Sequence, residues 1–305
     1  MERLNALRAI AIGGVSSLAV FAFAVAMPCD AFAAGRKPAK AVVAVRQCPS
    51  VGTHSIAFAK AVDGATFLTS DGKEIRLAGV LAPGPEGKAP SSTGAEAARQ
   101  ALSAVLRTGA LAWAADGPPD RYGRIVAEVF ADGTWVQAKL LEAGMLRMLP
   151  DGESAPCAKQ LLTAEDTGRT TRSGHWGNGG FSVRTPEQLR DRVGSFQIVE
   201  GTVTTATVYK GRAYINFGAD YRSDFTVTVA PEDMKRFRTA RFDVKDLAGK
   251  RVRVRGWAEL YNGPEMEITM PSAIEILDES GMAVVSTSPP PRPRAERSSR
   301  KRKST

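Results

Sequence analysis

The sequence contains few of the residues that bind zinc, and few aromatic side chains. Only three cysteines and two histidines, His54 and His175, occur in 305 residues, and they form no Cys/His group with metal-ligand spacing. This scarcity argues against a zinc site. Aromatic residues make up 7% of the chain, which argues against an extended surface for stacking nucleobases.

Positive charge is in excess, but it is unevenly distributed. The formal net charge is +9, and the segment Ser286–Thr305 accounts for +6 of it, with seven Lys or Arg and one Glu. Residues 1–33 contribute zero, which leaves +3 for residues 34–285. The body is therefore mildly basic. An acidic partner, such as nucleic acid, a cell-wall polymer or an anionic lipid surface, is expected mainly for the basic tail.

Residues 1–33 have the pattern of a secretory signal peptide. Arg3 and Arg8 precede an uncharged run from Ile10 to Met27, and Ala31-Phe32-Ala33 provides small residues at the spacing of a cleavage site before Ala34. We expect an exported protein, periplasmic or secreted. The alternative is an uncleaved segment that anchors the chain to the inner membrane.

Cleavage at this site would leave two cysteines, Cys48 and Cys157. Two thiols in an oxidising compartment favour one disulfide bond between them. The alternative is a pair of free, buried thiols.

After a linker at 34–47, residues 48–178 show the pattern of a first domain that opens with strands. Apolar and polar residues alternate between Asp-Gly pairs, which are typical of tight turns between antiparallel strands. Three stretches have helical spacing or helix-ending signals. They run from Ser92 or Thr93 to Arg107, from Val136 to Ala143 before Gly144, and from about Ala155 to Arg172.

Residues 194–278 follow a linker at 179–193 and show the pattern of a second domain. Three strands, a helical segment from Pro231 to Ala248 and at least two more strands form the order of an OB barrel. Residues 279–305 include the Pro/Arg-rich stretch 289–294 and the basic run 300–303, and this composition predicts a disordered tail. The predicted fold class is mainly β with helices (α+β).

Four stretches of the first domain resemble the thermonuclease family of staphylococcal-nuclease-like domains. Their order and spacing fit the family, and the resemblance covers about residues 50–178. It implies an OB-fold nuclease-like barrel, followed by a small OB-like barrel as in some bacterial members. The four stretches are Val62-Asp63-Gly64-Ala65-Thr66, Ile75 to Pro83, Asp120-Arg121-Tyr122-Gly123-Arg124 and Gly174-His175-Trp176.

The resemblance also implies a catalytic chemistry that this sequence does not fully support. Family members hydrolyse phosphodiester bonds with a calcium ion that two aspartates hold, while a glutamate is proposed to activate water and two arginines stabilise phosphate charge. Ala65 and Leu81 stand at the aspartate positions, and Gly84 stands at the glutamate position. Calcium prefers carboxylate oxygens, so we expect no metal site and no calcium cofactor.

The two arginine positions are retained as Arg76 and Arg124. They are candidates for catalytic residues if activity remains, and otherwise for binding a phosphate or another anion. Alternatively, they bond to carbonyl groups or pair with Glu128 or Asp63. Glu86 lies two residues beyond the glutamate position and would replace it only after a loop rearrangement.

A second candidate site lies on one strand of the second domain. Three arginines share one face of this strand with Trp257, which predicts an oligonucleotide-binding strip with a stacking residue. The arginines are Arg251, Arg253 and Arg255. The alternative is a solvated face of the barrel. Tyr122 and Trp176 are expected in the core.

These observations favour a non-catalytic, anion- or nucleic-acid-binding or scaffold protein of the cell envelope. One alternative is an active nuclease with an atypical site. The other is a structural module that binds partners without affinity for nucleic acid.

Overall fold

The computed structural model describes residues 48, 54–84, 92–115, 117–152, 155–220 and 222–284. The predicted signal segment, the 34–47 linker, Glu86 and the tail from 285 onward lie outside this part. None of the helices in the described part has the length and apolar character needed to cross a membrane.

Nine short strands form the β structure of the first domain. Their bounds are β1 His54–Ile56, β2 Phe58–Ala61, β3 Thr66–Thr69, β4 Glu74–Leu77, β5 Val80–Leu81, β6 Leu111–Ala114, β7 Ile125–Ala131, β8 Thr134–Trp135 and β9 Arg147–Met148. The main sheet has the order β1-β6-β7-β4-β3-β2. Only Ala57 separates β1 from β2, so the two ends of this order are joined by the chain and the sheet closes into a barrel. The β4–β7 pair is parallel and its other neighbours in the order are antiparallel.

Three helices pack on this barrel, as the spacing of apolar residues predicted. They are α1 Ser92–Leu106, α2 Val136–Glu142 and α3 Ala158–Thr170, the last after a 3-10 turn at Ala155–Cys157. Leu102 of α1 and Leu140 of α2 are fully buried with Phe67 of β3 in one core. Gly144 ends α2 with a left-handed φ of 65°. A Cβ there would lie 2.1 Å from the Ser173 carbonyl oxygen, so only glycine fits.

Eight further strands form the second barrel. They are β10 Val183–Arg184, β11 Ser195–Thr202, β12 Thr205–Tyr209, β13 Arg212–Asn216, β14 Thr226–Val229, β15 Arg251–Tyr261, β16 Gly263–Glu267 and β17 Ile274–Ile276. The order β11-β15-β16-β14-β13-β12 repeats that of the first barrel, with β14 and β16 as the parallel pair. The fold is therefore mainly β with helices, as predicted.

The helical segment predicted from Pro231 to Ala248 is shorter and divided. It contains helix α4 at Met234–Thr239 and a 3-10 helix at Val244–Leu247. Arg241 lies between them with a φ of 55°, which a continuing α-helix does not allow.

Two segments predicted as linker or tail also contain regular structure. A 3-10 helix at Pro186–Arg192 places Leu189 in the core of the second barrel. Leu277 and Ala283 form a β-bridge, and the Val284 amide donates to the Ile276 carbonyl.

Both barrels belong to one compact unit. Trp176 and Phe181, which follow the first barrel, cluster with Phe196 and Ile198 of β11. The boundaries at 178 and 194 remain predictions.

Candidate functional site

The turn before β3 is built on the side chain of Asp63. Its Oδ1 accepts a hydrogen bond of 2.7 Å from the Ala65 amide, so the carboxylate supports its own turn. Ala65 is fully buried in the core of the first barrel. A Cβ on Gly64 would lie 2.6 Å from the Cβ of Ala98, which shows how closely α1 packs here. This position therefore offers a methyl group rather than an oxygen ligand.

Leu81 stands at the second aspartate position of the family pattern, and its side chain packs among apolar residues. It lies in β5 opposite Arg147 of β9. Its side chain packs against the cluster of Trp176, Phe181, Phe196 and Ile198. Leu81 thus contributes to the contact between the two barrels, and calcium would find no ligand in it.

Gly84 is the last described residue before the 85–91 segment. A Cβ built on it would meet no atom within 4 Å, so no neighbouring atom requires glycine there. Ala65, Leu81 and Gly84 together provide no side-chain oxygen, so they do not fit a calcium ion that needs several hard ligands.

Arg76 lies in β4, and Arg124 is the residue immediately before β7, the parallel neighbour of β4. Arg76 pairs with Val126 in the β4–β7 ladder, two residues after Arg124. Both side chains are half-buried. A guanidinium group on β4 and another at the start of β7 can approach one anion.

The contacts of these two arginines differ. Arg76 donates a long hydrogen bond of 3.4 Å to the Val80 carbonyl. Arg124 forms an ion pair of 2.7 Å with Asp120. Desolvation raises the pKa of Asp120, but hydrogen bonds from the side chain and backbone of Arg124 outweigh it, so the pKa is lowered. Carbonyl bonding, one of the alternatives, thus holds for Arg76, whereas Arg124 pairs with Asp120 instead of Glu128 or Asp63.

Tyr122 is exposed, contrary to the expectation of a core position. It is 68% exposed in a turn that Asp120 stabilises by accepting from the Tyr122 amide. The guanidinium carbons of Arg121 and Arg124 lie 5.1 and 4.9 Å from the centre of its ring. The polar sequence of this turn was the signal for exposure. Trp176 is buried as expected.

The predicted strip on β15 is only partly accessible. Arg251 and Trp257 are exposed, but Arg253 and Arg255 are 2% and 1% exposed. The prediction of one open face with all four side chains was therefore wrong. Alternation along β15 identified the correct face, but it could not reveal that α3 of the first barrel covers the middle of that face.

Ion pairs compensate for the burial of these two arginines. Arg253 pairs with Glu200 of β11 at 2.6 Å. Arg255 pairs with Glu165 of α3 and with Glu275 of β17. Burial lowers the pKa of Arg255, but the two carboxylates outweigh it, so the pKa is raised. Arg255 therefore links α3 of the first barrel to β17 of the second. Neither arginine is accessible to nucleic acid.

Arg147 is a buried cation that sequence reasoning missed. Its Nη1 donates to the Phe196 carbonyl at 2.9 Å, and its guanidinium lies 4.7 Å from the ring centre of Phe181. Burial lowers the pKa of Arg147 to about 10. The charge of Glu165 opposes this shift, and the charge of Arg255 adds to it. A single arginine inside the apolar run from Leu146 to Leu149 was the available signal.

A disulfide joins Cys48 to Cys157, with Cα atoms 5.1 Å apart. The predicted bridge is therefore present. Glu128 is buried beside it, with Oε1 2.8 Å from the Cys157 sulfur. The three side chains lie close enough to resemble a ligand set. Both sulfurs are in the disulfide, however, so neither is a thiolate that could bind a metal.

The first barrel combines a five-stranded OB order with a helix after its third strand, and Arg76 and Arg124 lie on or next to two paired strands. Residues 74–178 match the family model described as Staphylococcal nuclease homologue, so the chain contains a staphylococcal-nuclease-like domain. The matched range includes three of the four motif stretches and begins after Ala65. A search of curated proteins found no match.

Proposed function

We propose that the nuclease-like barrel is a non-catalytic module that binds nucleic acid or another polyanion through Arg76 and Arg124. The observation that supports this most directly is the contrast within one site. Two half-buried arginines are retained, Arg76 in β4 and Arg124 immediately before the adjacent β7. Ala65, in contrast, is in the core, and Leu81 packs on an apolar cluster. Cationic groups without anionic metal ligands favour an anion over a divalent cation.

The turn beside these arginines extends the proposed surface. Arg121 and Tyr122 are exposed, so the cation and the aromatic ring are available to a ligand. A phosphate can bind the guanidinium groups, and a base can stack on the tyrosine ring. We propose that Arg76, Arg121, Tyr122 and Arg124 form one anion-binding surface. Arg251 and Trp257 are separate exposed residues on the second barrel.

The same proposal includes a location outside the cytoplasm. The charge and apolar pattern of residues 1–33 supports export, and the disulfide between Cys48 and Cys157 supports an oxidising compartment. We propose a scaffold or binding role in the cell envelope, where a polyanion would be the ligand.

Binding to a labelled single-stranded oligonucleotide, measured by fluorescence anisotropy across a salt series, tests this function. The R76Q/R121Q variant should lose at least tenfold in affinity at about 150 mM salt and show a slope of log K against log salt that is smaller by about 1 to 2. The control R99Q/R107Q removes the same charge from α1 and from the residue that follows it, and it should change affinity less than threefold.

Three results would contradict the proposal. No binding by the wild type, to the oligonucleotide or to heparin at physiological salt, would favour a purely structural, partner-binding module. Calcium-dependent cleavage of the oligonucleotide would favour an active nuclease with an atypical site. An equal loss of affinity in both double variants would show that the arginine pair is not a specific binding surface.

A further inference from the structure

The outer face of the second barrel contains two carboxylates that oppose each other directly. Glu259 of β15 and Glu265 of β16 are partners in the antiparallel ladder, so their side chains project from the same side. Like charges in this arrangement repel, because their Cβ atoms are about 5 Å apart. Such a pair is stabilised when a cation lies between the two groups.

Among the described residues, neither carboxylate has a cation within ion-pair distance. Glu265 accepts a hydrogen bond of 2.9 Å from the Thr228 hydroxyl, and the nearby Arg212 pairs instead with Glu267. Glu259 is exposed and Glu265 is half-buried. Arg212 also interacts electrostatically with Glu265 without forming an ion pair with it. The negative charge of the pair is therefore only partly compensated and can attract a cationic ligand.

Two exposed aromatic rings flank the carboxylates. Trp257 and Tyr261 alternate with Glu259 along β15, which places all three on one face. They are 49% and 73% exposed. Aromatic faces next to carboxylates suit an arginine, which can stack on a ring while its fork bonds to the acid. We call Trp257, Glu259, Tyr261 and Glu265 the acidic aromatic face.

The C-terminal tail has the complementary chemistry. Residues 289–294 read Pro-Pro-Pro-Arg-Pro-Arg, within a tail of charge +6. Proline-rich segments adopt an extended left-handed helix at small entropic cost and dock on aromatic-lined surfaces. An acidic face also disfavours nucleic acid as the ligand.

The end of the described chain lies within reach of this face. The Val284 amide bonds to the Ile276 carbonyl, and Ile276 pairs with Val252 of β15. Trp257 and Tyr261 are five and nine residues further along β15, about 17 and 30 Å away. Eight to ten extended residues, from Val284 to Arg292 or Arg294, span about 25 to 31 Å.

We propose that the Pro/Arg-rich segment 289–294 docks on the acidic aromatic face of its own chain, with Arg292 and Arg294 bound between the carboxylates and the rings. Docking places positive charge beside the Glu259–Glu265 pair and shields Trp257. This contact is independent of the anion surface on the first barrel.

NMR of the tryptophan indole N–H groups in the full mature chain tests this docking. The W257F variant identifies the Trp257 signal by its loss. The R292Q/R294Q variant should shift that signal, and so should raising salt from about 50 to 500 mM, because both weaken the ion pairs. The control R300Q/R302Q removes the same charge further along the tail and should leave the signal unchanged.

Three outcomes would overturn the proposal. One is an identical Trp257 signal in the wild type and in R292Q/R294Q. Another is an equal shift in the R300Q/R302Q control, which would indicate a general charge effect. The third is a signal that changes on tenfold dilution, because a contact with the tail of a second copy would depend on concentration.

Discussion

Replacing Arg255 with methionine should strongly destabilise the contact between the two barrels. The side chain is 1% exposed and bonds to Glu165 of α3 and Glu275 of β17. The other oxygen of Glu165 accepts from the Met148 amide at 2.7 Å. Removing the cation would leave two buried carboxylates close together. The remaining cations are Arg253, whose Nη1 is 3.5 Å from Glu275, and Arg147, which interacts electrostatically with Glu165.

The free energy of a buried ion pair sets the expected size of this effect. Breaking one by removing a single partner costs about 3 to 5 kcal/mol, mainly because an uncompensated charge stays buried. For a folded unit of this size that corresponds to a fall in melting temperature of roughly 10 °C. Arg251 provides a matched control, because it lies on the same face of β15 but is exposed and pairs with Glu200 at 3.0 Å. Arg251→Met should cost less than about 1 kcal/mol.

Thermal and urea unfolding, followed by circular dichroism, would measure both variants. Adding Glu165→Gln to the Arg255→Met variant should recover part of the loss, because one buried charge is then removed. If Arg255→Met costs no more than Arg251→Met, the ion pairs at this contact do not stabilise the fold and the reasoning is refuted.

Two further predictions concern stability. Burial lowers the pKa of His175 below its ordinary 6.5, so the unfolded chain binds a proton at this residue more readily than the folded chain does. The stability is therefore full above about pH 6.5 and decreases as the pH falls below it. His175→Gln should reduce the dependence of the melting temperature on pH between pH 5 and 8. An equal dependence in the wild type and in His175→Gln would contradict the assignment. The Cys48→Ser/Cys157→Ser variant should lose on the order of 4 to 5 kcal/mol by the loop-entropy relation for a separation of 109 residues. Unchanged unfolding in the presence and absence of reductant would contradict that estimate.

Local sequence signals predicted much of the fold. Asp-Gly pairs marked turns such as Asp71-Gly72 and Asp132-Gly133, because a left-handed glycine follows an aspartate that can bond to its own turn. The spacing of Ala98, Leu102 and Leu106 predicted helix α1. The single helix predicted from Pro231 was too long, since a left-handed Arg241 gives no clear local signal.

The long-range part of the site could not be derived in this way. Alternation along β15 shows which residues share a face but not what packs on it, so the burial of Arg253 and Arg255 was missed. Glu165, the α3 partner of Arg255, lies 90 residues earlier in the chain. The substitution at Leu81 was recognised from the family pattern, but its packing on the aromatic cluster depends on the second barrel.

Calcium titration by calorimetry, paired with a nuclease assay, tests the central claim most directly. The comparison uses the wild-type mature chain and the A65D/L81D/G84E variant, which restores the carboxylates of the family pattern. We expect no calcium binding and no calcium-dependent cleavage of DNA or RNA by the wild type, because Ala65, Leu81 and Gly84 supply no anionic ligand. The account would be contradicted if the wild type cleaves nucleic acid with calcium and Arg124→Ala abolishes that activity.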